Sequence, residues 1–277
     1  MAALYCVFGN PIAHSKSPAI HRAFAAATGQ DMRYHAQLAP REDFAGAVRD
    51  FIAAGGCGAN VTVPFKEEAF RLCTTLSAAA RLAGAVNTLS FMPDGRIHGD
   101  NTDGAGLLAD LQNNLHQPLA GRRIALLGAG GAARGVLSPL LDAQPAGLWI
   151  ANRSADKARA LAGLFTSGAP VRGGSFAELA GGSFDLVINA TAASLAGEPL
   201  PLPEGLFAPG ALAYDMMYGN NETPFLTQAR TLGAARCADG LGMLVEQAAA
   251  AFDLWRGQRP DTADVLRNLR ASLNAPA

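Results

Sequence analysis

Short apolar runs of strand character alternate with stretches of helical spacing along almost the whole chain. Leu4 to Phe8 reads as a strand, Pro18 to Thr28 as a helix closed by Gly29, and Met32 to Leu38 as the next strand. This is the pattern of βαβ units around a largely parallel sheet. Phe44, Val48, Phe51 and Ile52 keep helical spacing and stop at Gly55-Gly56, after which Ala59 to Val63 reads as a strand cut off by Pro64. Pro93-Asp94-Gly95 between Thr88 to Met92 and Arg96 to Gly99 predicts the turn of an antiparallel hairpin, so the first sheet is mixed. A second βα series follows: strand Arg123 to Leu127, helix from Gly131, strand Leu148 to Ala151, helix from Ala155 and strand Asp185 to Asn189. The boundary falls near Asn101, with a helix from Gly104 to Leu115 carrying the chain across. The tail is helical again, with Leu244, Ala248, Ala251, Phe252 and Trp255 on one face and Val265, Leu266 and Leu269 further on. Periodicity alone leaves open which domain that tail packs on.

Composition narrows the function. The 277 residues suit two modest domains, and alanine is the commonest apolar residue, so packing must bring backbones close. Net charge is −1, from 22 basic and 23 acidic residues. Neither a basic patch nor a charge run appears, which argues against nucleic acid and anionic membrane as partners. Cys6, Cys57, Cys73 and Cys237 are widely spaced with no C-x-x-C, as in the reduced thiols of a cytosolic protein. The apolar run Ala2 to Phe8 stops at Gly9-Asn10-Pro11 without a basic region before it, unlike a secretion signal. The expectation is a soluble cytoplasmic protein. His14, His21, His35, His98 and His116 show no metal-ligand spacing and read as scattered loop residues, so no metal is expected.

The segment Gly128-Ala129-Gly130-Gly131-Ala132-Ala133 fits G-x-G-x-x-[GA] directly after one strand and at the start of a helix. The first Gly allows a tight turn, the second lets the backbone approach a pyrophosphate, and the small third residue lets helix and strand pack closely. About 20 residues on, where a carboxylate would hold the ribose 2′-hydroxyl of NAD, the chain reads Asn152-Arg153-Ser154. An Arg fork, a hydroxyl and Lys157 one turn later make a socket for the 2′-phosphate of NADP, and NADP(H) is favoured over NAD.

Three polar clusters lie in the first domain: Ser15-Lys16-Ser17-Pro18, Asn60 to Lys66, and Asn87-Thr88 with Gly99 to Gly104. Singly each has a bland reading: Ser17 before Pro18 as an N-cap, Lys66 as a solvated lysine, Asp103 as another cap. Together they offer hydroxyls, amides, one ammonium and one carboxylate, a set suited to a small polyhydroxylated acid.

With these motifs in order, joined by Gly84 to Thr88, Asn101 to Gly104, Tyr214-Asp215-Met216 with Tyr218, Thr223 to Leu226, and Asp239 to Leu244 with Gln247, the chain resembles the shikimate dehydrogenases along nearly its whole length. The resemblance implies an α/β protein of two domains: a mixed-sheet substrate-binding domain, 1–102, joined by C-terminal helices 238–277, and a doubly wound parallel-sheet Rossmann NADP domain, 103–237. It implies NADPH-dependent, reversible reduction of 3-dehydroshikimate to shikimate, on the route to chorismate and the aromatic amino acids, in the cleft between the domains. By position, Lys66 and Asp103 would be the catalytic pair. Ser15, Ser17, Thr62, Asn87 and Gln247 would hold the substrate with Asp103, and Tyr218 would close the pocket. Met216 and Gly240 would line the nicotinamide end of the cofactor, with Gly128, Ala129, Gly130, Gly131 and Ala132 at its pyrophosphate and Asn152, Arg153, Ser154 and Lys157 at its 2′-phosphate. The chain departs from the family at Ala192, where many members have Ser, and at Ala78, where some have an acidic residue; both leave the affinity for NADPH open.

The chemistry follows from the residue types. Hydride reaching a ketone leaves an alkoxide, which the Lys66 ammonium can stabilise and protonate, with Asp103 orienting the lysine. A quinate/shikimate dehydrogenase of broader specificity would carry an acidic residue after the second Rossmann strand, where Asn152-Arg153-Ser154 stands. A non-catalytic NADP-sensing paralogue would need neither Lys66 nor Asp103. The assembly, a homodimer included, is not legible.

Overall fold

The computed structural model describes residues 2–166 and 168–274. The chain divides into two compact units, one holding the residues up to Gly106 together with Leu244–Arg267, the other Leu107–Met243 with the residues from Asn268 on. The sequence-based division put all of 238–277 with the first unit; here the stretches before Leu244 and after Arg267 go with the second.

In the first unit the elements run β1 (Ala3–Gly9), α1 (Ser17–Thr28), β2 (Met32–Leu38), α2 (Phe44–Ala53), β3 (Gly56–Val61), α3 (Lys66–Leu72), β4 (Thr75–Leu76), α4 (Ala78–Ala83), β5 (Thr88–Phe91) and β6 (Ile97–Asp100). The sheet order is β2-β1-β3-β5-β6-β4. β1 lies parallel to β2 and β3, while β5 is antiparallel to both β3 and β6, the mixed sheet that the hairpin predicted. Helix α1 ends as its sequence demands: Gly29 takes φ +66° and returns its N–H to the last carbonyls. Along β1 successive side chains point to opposite faces. Cys6 and Phe8 join one core with Phe44, Phe51 and Phe65, and Tyr5 and Val7 join another with Ile12 and Tyr34. Phe8 meets Phe44 and Phe51 edge-on at 5.7 Å, and Phe44 stacks on Phe65 at 4.7 Å. Each fully buried ring is worth about 1.5–3 kcal/mol of transfer free energy.

The second unit contains α5 (Asp103–Ala109) from Leu107 on, β7 (Arg123–Leu127), α6 (Gly131–Asp142), β8 (Gly147–Ala151), α7 (Ala155–Ala162), β9 (Val171–Gly174), β10 (Phe184–Asn189), α8 (Ala193–Ala196), β11 (Phe207–Asp215), α9 (Pro224–Thr231) and β12 (Arg236–Asp239). Its sheet is parallel throughout, in the order β12-β11-β10-β7-β8-β9. The order reverses between β7 and β10, the switch point at which doubly wound sheets open a ligand crevice. Here too the strand alternation feeds two cores: Ile124 and Leu126 face one, Ala125 and Leu127 the other. Two helices close the chain, α10 (Leu241–Arg256) and α11 (Ala263–Asn274).

Two expectations need correction. The helix expected from Gly104 to Leu115 is α5 only to Ala109, after which Asp110–Asn114 continue as a π-helical turn. The histidines are not all loop residues: His21 lies in α1 and is fully buried, while His35 and His98 lie on strands. His21 stacks on Tyr34 at 4.1 Å, and neither ring nitrogen has a hydrogen-bond partner among the described residues. Burial drives its pKa down to about 3. No described helix is long and apolar enough to cross a membrane.

Candidate active site

The topology of the first sheet gathers the polar clusters at one end. β1 and β3 run parallel with Phe8 opposite Val61, and Asn60 of β3 pairs with Thr88 at the start of β5, which pairs with Asp100 at the end of β6. The chain therefore leaves β1 toward Ser15 and Ser17, β3 toward Thr62 and Lys66, and β6 toward Asp103, and enters β5 through Asn87, all at the same sheet edge. Gln247 arrives from the far end of the sequence on α10.

Lys66 opens α3, and its Nζ donates to Asp103 Oδ2 at 2.6 Å. The pair is half out of water, with the lysine side chain 30% and the aspartate 12% exposed. The other carboxylate oxygen accepts from Asn87 Nδ2 at 2.8 Å. Asn87 also donates to Thr102 Oγ1 at 3.0 Å and toward Gln247 Oε1 at 3.4 Å. Asn101 Oδ1 accepts from the Asp103 N–H at 3.1 Å, so Asp103 is itself capped, and its carboxylate faces Lys66 and Asn87. Gly106 lets this assembly close: a Cβ there would sit 2.7 Å from the Gln247 backbone nitrogen. Lys66, Asp103, Asn87 and Gln247 thus form one connected cluster. Ser15 and Thr62 stand on loops and Ser17 opens α1; none of the three joins the hydrogen bonds among Lys66, Asp103, Asn87 and Gln247. Ser17 is not the N-cap of α1: Lys16 holds that position, and the Ser17 N–H donates to Ser15 Oγ at 3.3 Å.

In the second unit Gly128 follows β7 at the switch point. Its φ is +113°, and a Cβ would come within 3.1 Å of the Ala190 carbonyl oxygen beyond β10, so both conformation and space demand glycine. Nothing lies within 4 Å of the places a Cβ would occupy on Gly130 and Gly131. The backbone is open there, at the N-terminus of the 12-residue α6, as a phosphate requires. Ala129, Gly130, Asn152, Arg153, Ser154 and Lys157 line one depression of about 250 Å³. Two cations and no acid border it. Ser154 occupies the N-cap of α7 without making a capping bond, which leaves its hydroxyl to the depression, and Asn152 Nδ2 is turned to the Ser154 carbonyl at 3.0 Å. These residues fit a dinucleotide carrying a 2′-phosphate.

At the far end of β11, Asp215 is fully buried, and its hydrogen-bond donors are all uncharged. Ser194 Oγ and Thr223 Oγ1 each donate to it at 2.6 Å, Asn189 Nδ2 at 3.1 Å and the Met217 N–H at 3.0 Å. Burial raises its pKa and those four donors oppose the rise. The Asp215 cluster fixes the turn that carries Met216, whose N–H donates to the Asn189 carbonyl. Gly240 is pressed against that turn: a Cβ would lie 2.2 Å from the Met216 carbonyl oxygen. Tyr218 follows on the same loop, half-buried, with burial first and the Asp239 charge next raising its pKa.

Three family models match the chain: the shikimate dehydrogenase substrate binding domain over residues 7–89, shikimate / quinate 5-dehydrogenase over 110–196, and the shikimate 5′-dehydrogenase C-terminal domain over 240–270. A shikimate dehydrogenase (NADP(+)) from Dechloromonas aromatica is 69% identical over 276 residues, covering 99% of this chain and 100% of the relative. The chain belongs to the shikimate dehydrogenase family. Among solved structures, an Ael1 enzyme from Pseudomonas putida is 48% identical with a TM-score of 0.92, covering 99% of both chains. The shikimate 5-dehydrogenase of Thermus thermophilus, in complex with NADP(H) and shikimate, is 34% identical with a TM-score of 0.85, covering 98% of this chain and 99% of that one.

For a shikimate dehydrogenase, the residue reading overlooked parts of both sites. Tyr34 donates to Asn60 Oδ1 at 2.7 Å and enters the polar cluster from β2, where only strand character was legible. Thr88, Thr102 and Asn101 lay within the quoted motifs without an assigned role. Asp215 lay in the motif Tyr214-Asp215-Met216 without an assigned role, and as a carboxylate ending the apolar strand ALAYD it carried a further signal.

Proposed function

We propose that Lys66 and Asp103 are the catalytic pair of this NADP-dependent shikimate dehydrogenase. The protein catalyses the reversible, NADPH-dependent reduction of 3-dehydroshikimate to shikimate, a step toward chorismate and the aromatic amino acids. The observation that carries the residue roles is the 2.6 Å contact from Lys66 Nζ to a carboxylate whose other oxygen is held by Asn87.

NADPH supplies the hydride. Lys66 stabilises the negative charge that gathers on the substrate oxygen and then donates the proton, a step worth about 10²–10⁴-fold. Asp103 keeps the ammonium aimed and offers its remaining lone pairs to a substrate hydroxyl. In the oxidation direction the neutral amine takes the hydroxyl proton. Ser15, Ser17, Thr62, Asn87 and Gln247 hold the substrate carboxylate and hydroxyls, and Tyr218 is a further substrate-binding residue. On the cofactor side Gly128, Ala129, Gly130, Gly131 and Ala132 take the pyrophosphate, and Asn152, Arg153, Ser154 and Lys157 take the 2′-phosphate. Met216 and Gly240 meet the nicotinamide. The balanced charge and the four free cysteines support work in the cytoplasm on small molecules.

The test is NADPH consumption by the purified protein given 3-dehydroshikimate, repeated with Lys66→Ala and with NADH. Turnover that depends on Lys66 and prefers NADPH is expected. A Lys66→Ala variant that folds and turns over at the wild-type rate would overturn the assignment of the acid.

A further inference from the structure

Behind the Lys66–Asp103 pair stands a chain of buried hydrogen bonds whose direction is dictated by the backbone. The N–H of Thr102 lies 2.9 Å from Asn87 Oδ1. A backbone amide can only donate, so that atom is the amide oxygen, and the Asn87 NH₂ is the group 2.8 Å from Asp103 Oδ1. Asn60 Nδ2 lies 3.2 Å from the Asn87 carbonyl, which can only accept. Asn60 therefore presents its oxygen to Tyr34, whose hydroxyl must donate, at 2.7 Å. Thr88 Oγ1 accepts from Asn60 Nδ2 at 3.1 Å and spends its own proton on Asn87 Oδ1 at 2.9 Å. Every link points the same way, from Tyr34 through Asn60, Thr88 and Asn87 to Asp103.

The chain starts at the opposite edge of the sheet from the hairpin. Tyr34 belongs to the edge strand β2, and its hydroxyl passes across β1 to reach β3. Tyr34, Asn60, Thr88 and Asn87 are each at most 9% exposed, so water cannot replace a lost link freely, and aligned hydrogen bonds in such surroundings polarise one another. Burial keeps the Tyr34 phenol protonated and hence a donor. Neither Tyr34 nor Thr88 hydrogen-bonds Lys66 or Asp103.

We infer that Tyr34 and Thr88 are positioning residues that hold the Asn87 amide, and through it the Asp103 carboxylate, in the orientation that serves Lys66. The inference rests on the reading of Lys66 and Asp103 given above. Tyr34→Phe keeps the ring and its stack on His21 and removes one hydroxyl. Thr88→Val keeps the shape and removes the relay.

Each variant is expected to lower kcat about three- to tenfold, the worth of one hydrogen bond, with the KM for NADPH unchanged. Thr88→Ser should restore the rate. The double variant should lose no more than the worse single one, because both break one chain. Single variants within twofold of the wild-type kcat, or losses that multiply in the double, would overturn the inference. A second readout needs no turnover. With ¹⁵N-asparagine label, the Asn87 side-chain NH₂ resonances, assigned by Asn87→Asp, should shift in Tyr34→Phe and Thr88→Val; unmoved resonances sink the proposal. If the wild-type protein failed to reduce 3-dehydroshikimate, the functional reading would fall while these resonances still decided the chain.

Discussion

In the first unit Asn87, Thr102 and Asp103 lie at 2%, 3% and 8% exposure, and their polar atoms are bound to one another. In the second, Arg153, Ser154 and Lys157 stand exposed around a depression floored by glycine and alanine backbone. One site is an interlocked set of side chains in which moving any member strands another. The other is a backbone cradle with loosely held charges at its rim. On the proposed roles, geometry at the first site would control a reacting atom and should be read in kcat, and charge at the second would control binding and should be read in KM and salt dependence.

The largest effect expected is on Lys66. Lys66→Ala should lower kcat by about 10²–10⁴-fold and leave NADPH binding, followed by fluorescence, unchanged. A variant that lost cofactor affinity and kept its rate would erase the contrast between the sites.

His21 ties the interlocked side to pH. Its pKa is about 3 in the folded chain against about 6.5 when exposed. Between those values the unfolded chain binds more protons, so the contribution is present above about pH 6.5 and is lost as pH falls toward 3, with a slope of up to ~1.4 kcal/mol per pH unit. Urea denaturation at pH 6.5, 5.5 and 4.5 should show that fall, and His21→Leu should flatten it. An unchanged slope in His21→Leu would assign the acid sensitivity elsewhere.

Arg153→Ala tests the rim. A charge-assisted hydrogen bond is worth about 1.5–3 kcal/mol, so the KM for NADPH should rise about 10- to 100-fold while kcat and the KM for NADH stay nearly constant. A fall in kcat with KM unchanged would place Arg153 in the chemistry and blur the division.

How much of this was legible in the sequence follows from how far apart the interacting residues lie. The glycine motif after β7 and the mixed hairpin were readable because their signals are local. Tyr34 was not, because its partner Asn60 is 26 residues away and meets it only through the register of two strand pairings, which no local pattern encodes. Asn87 was legible as a member of a polar cluster, but Gln247, 160 residues away, came from resemblance alone. The early end of α5 was missed because apolar spacing continues through Leu111 and Leu115, whereas Asp110 accepts a 2.6 Å bond from Tyr214 and begins a π turn that the periodicity does not show.

Lys157 offers the finest test of the contrast. It reaches the same depression as Arg153, but as a point charge on a flexible stem rather than a planar fork. An exposed ion pair is worth about 0.2–1 kcal/mol, so Lys157→Ala should raise the KM for NADPH only about two- to fivefold, and added salt should shrink even that difference. If the loss instead matched that of Arg153→Ala and resisted salt, the lysine would be fixed against the phosphate as firmly as Asp103 is fixed against Lys66. The two sites would then be built on one principle.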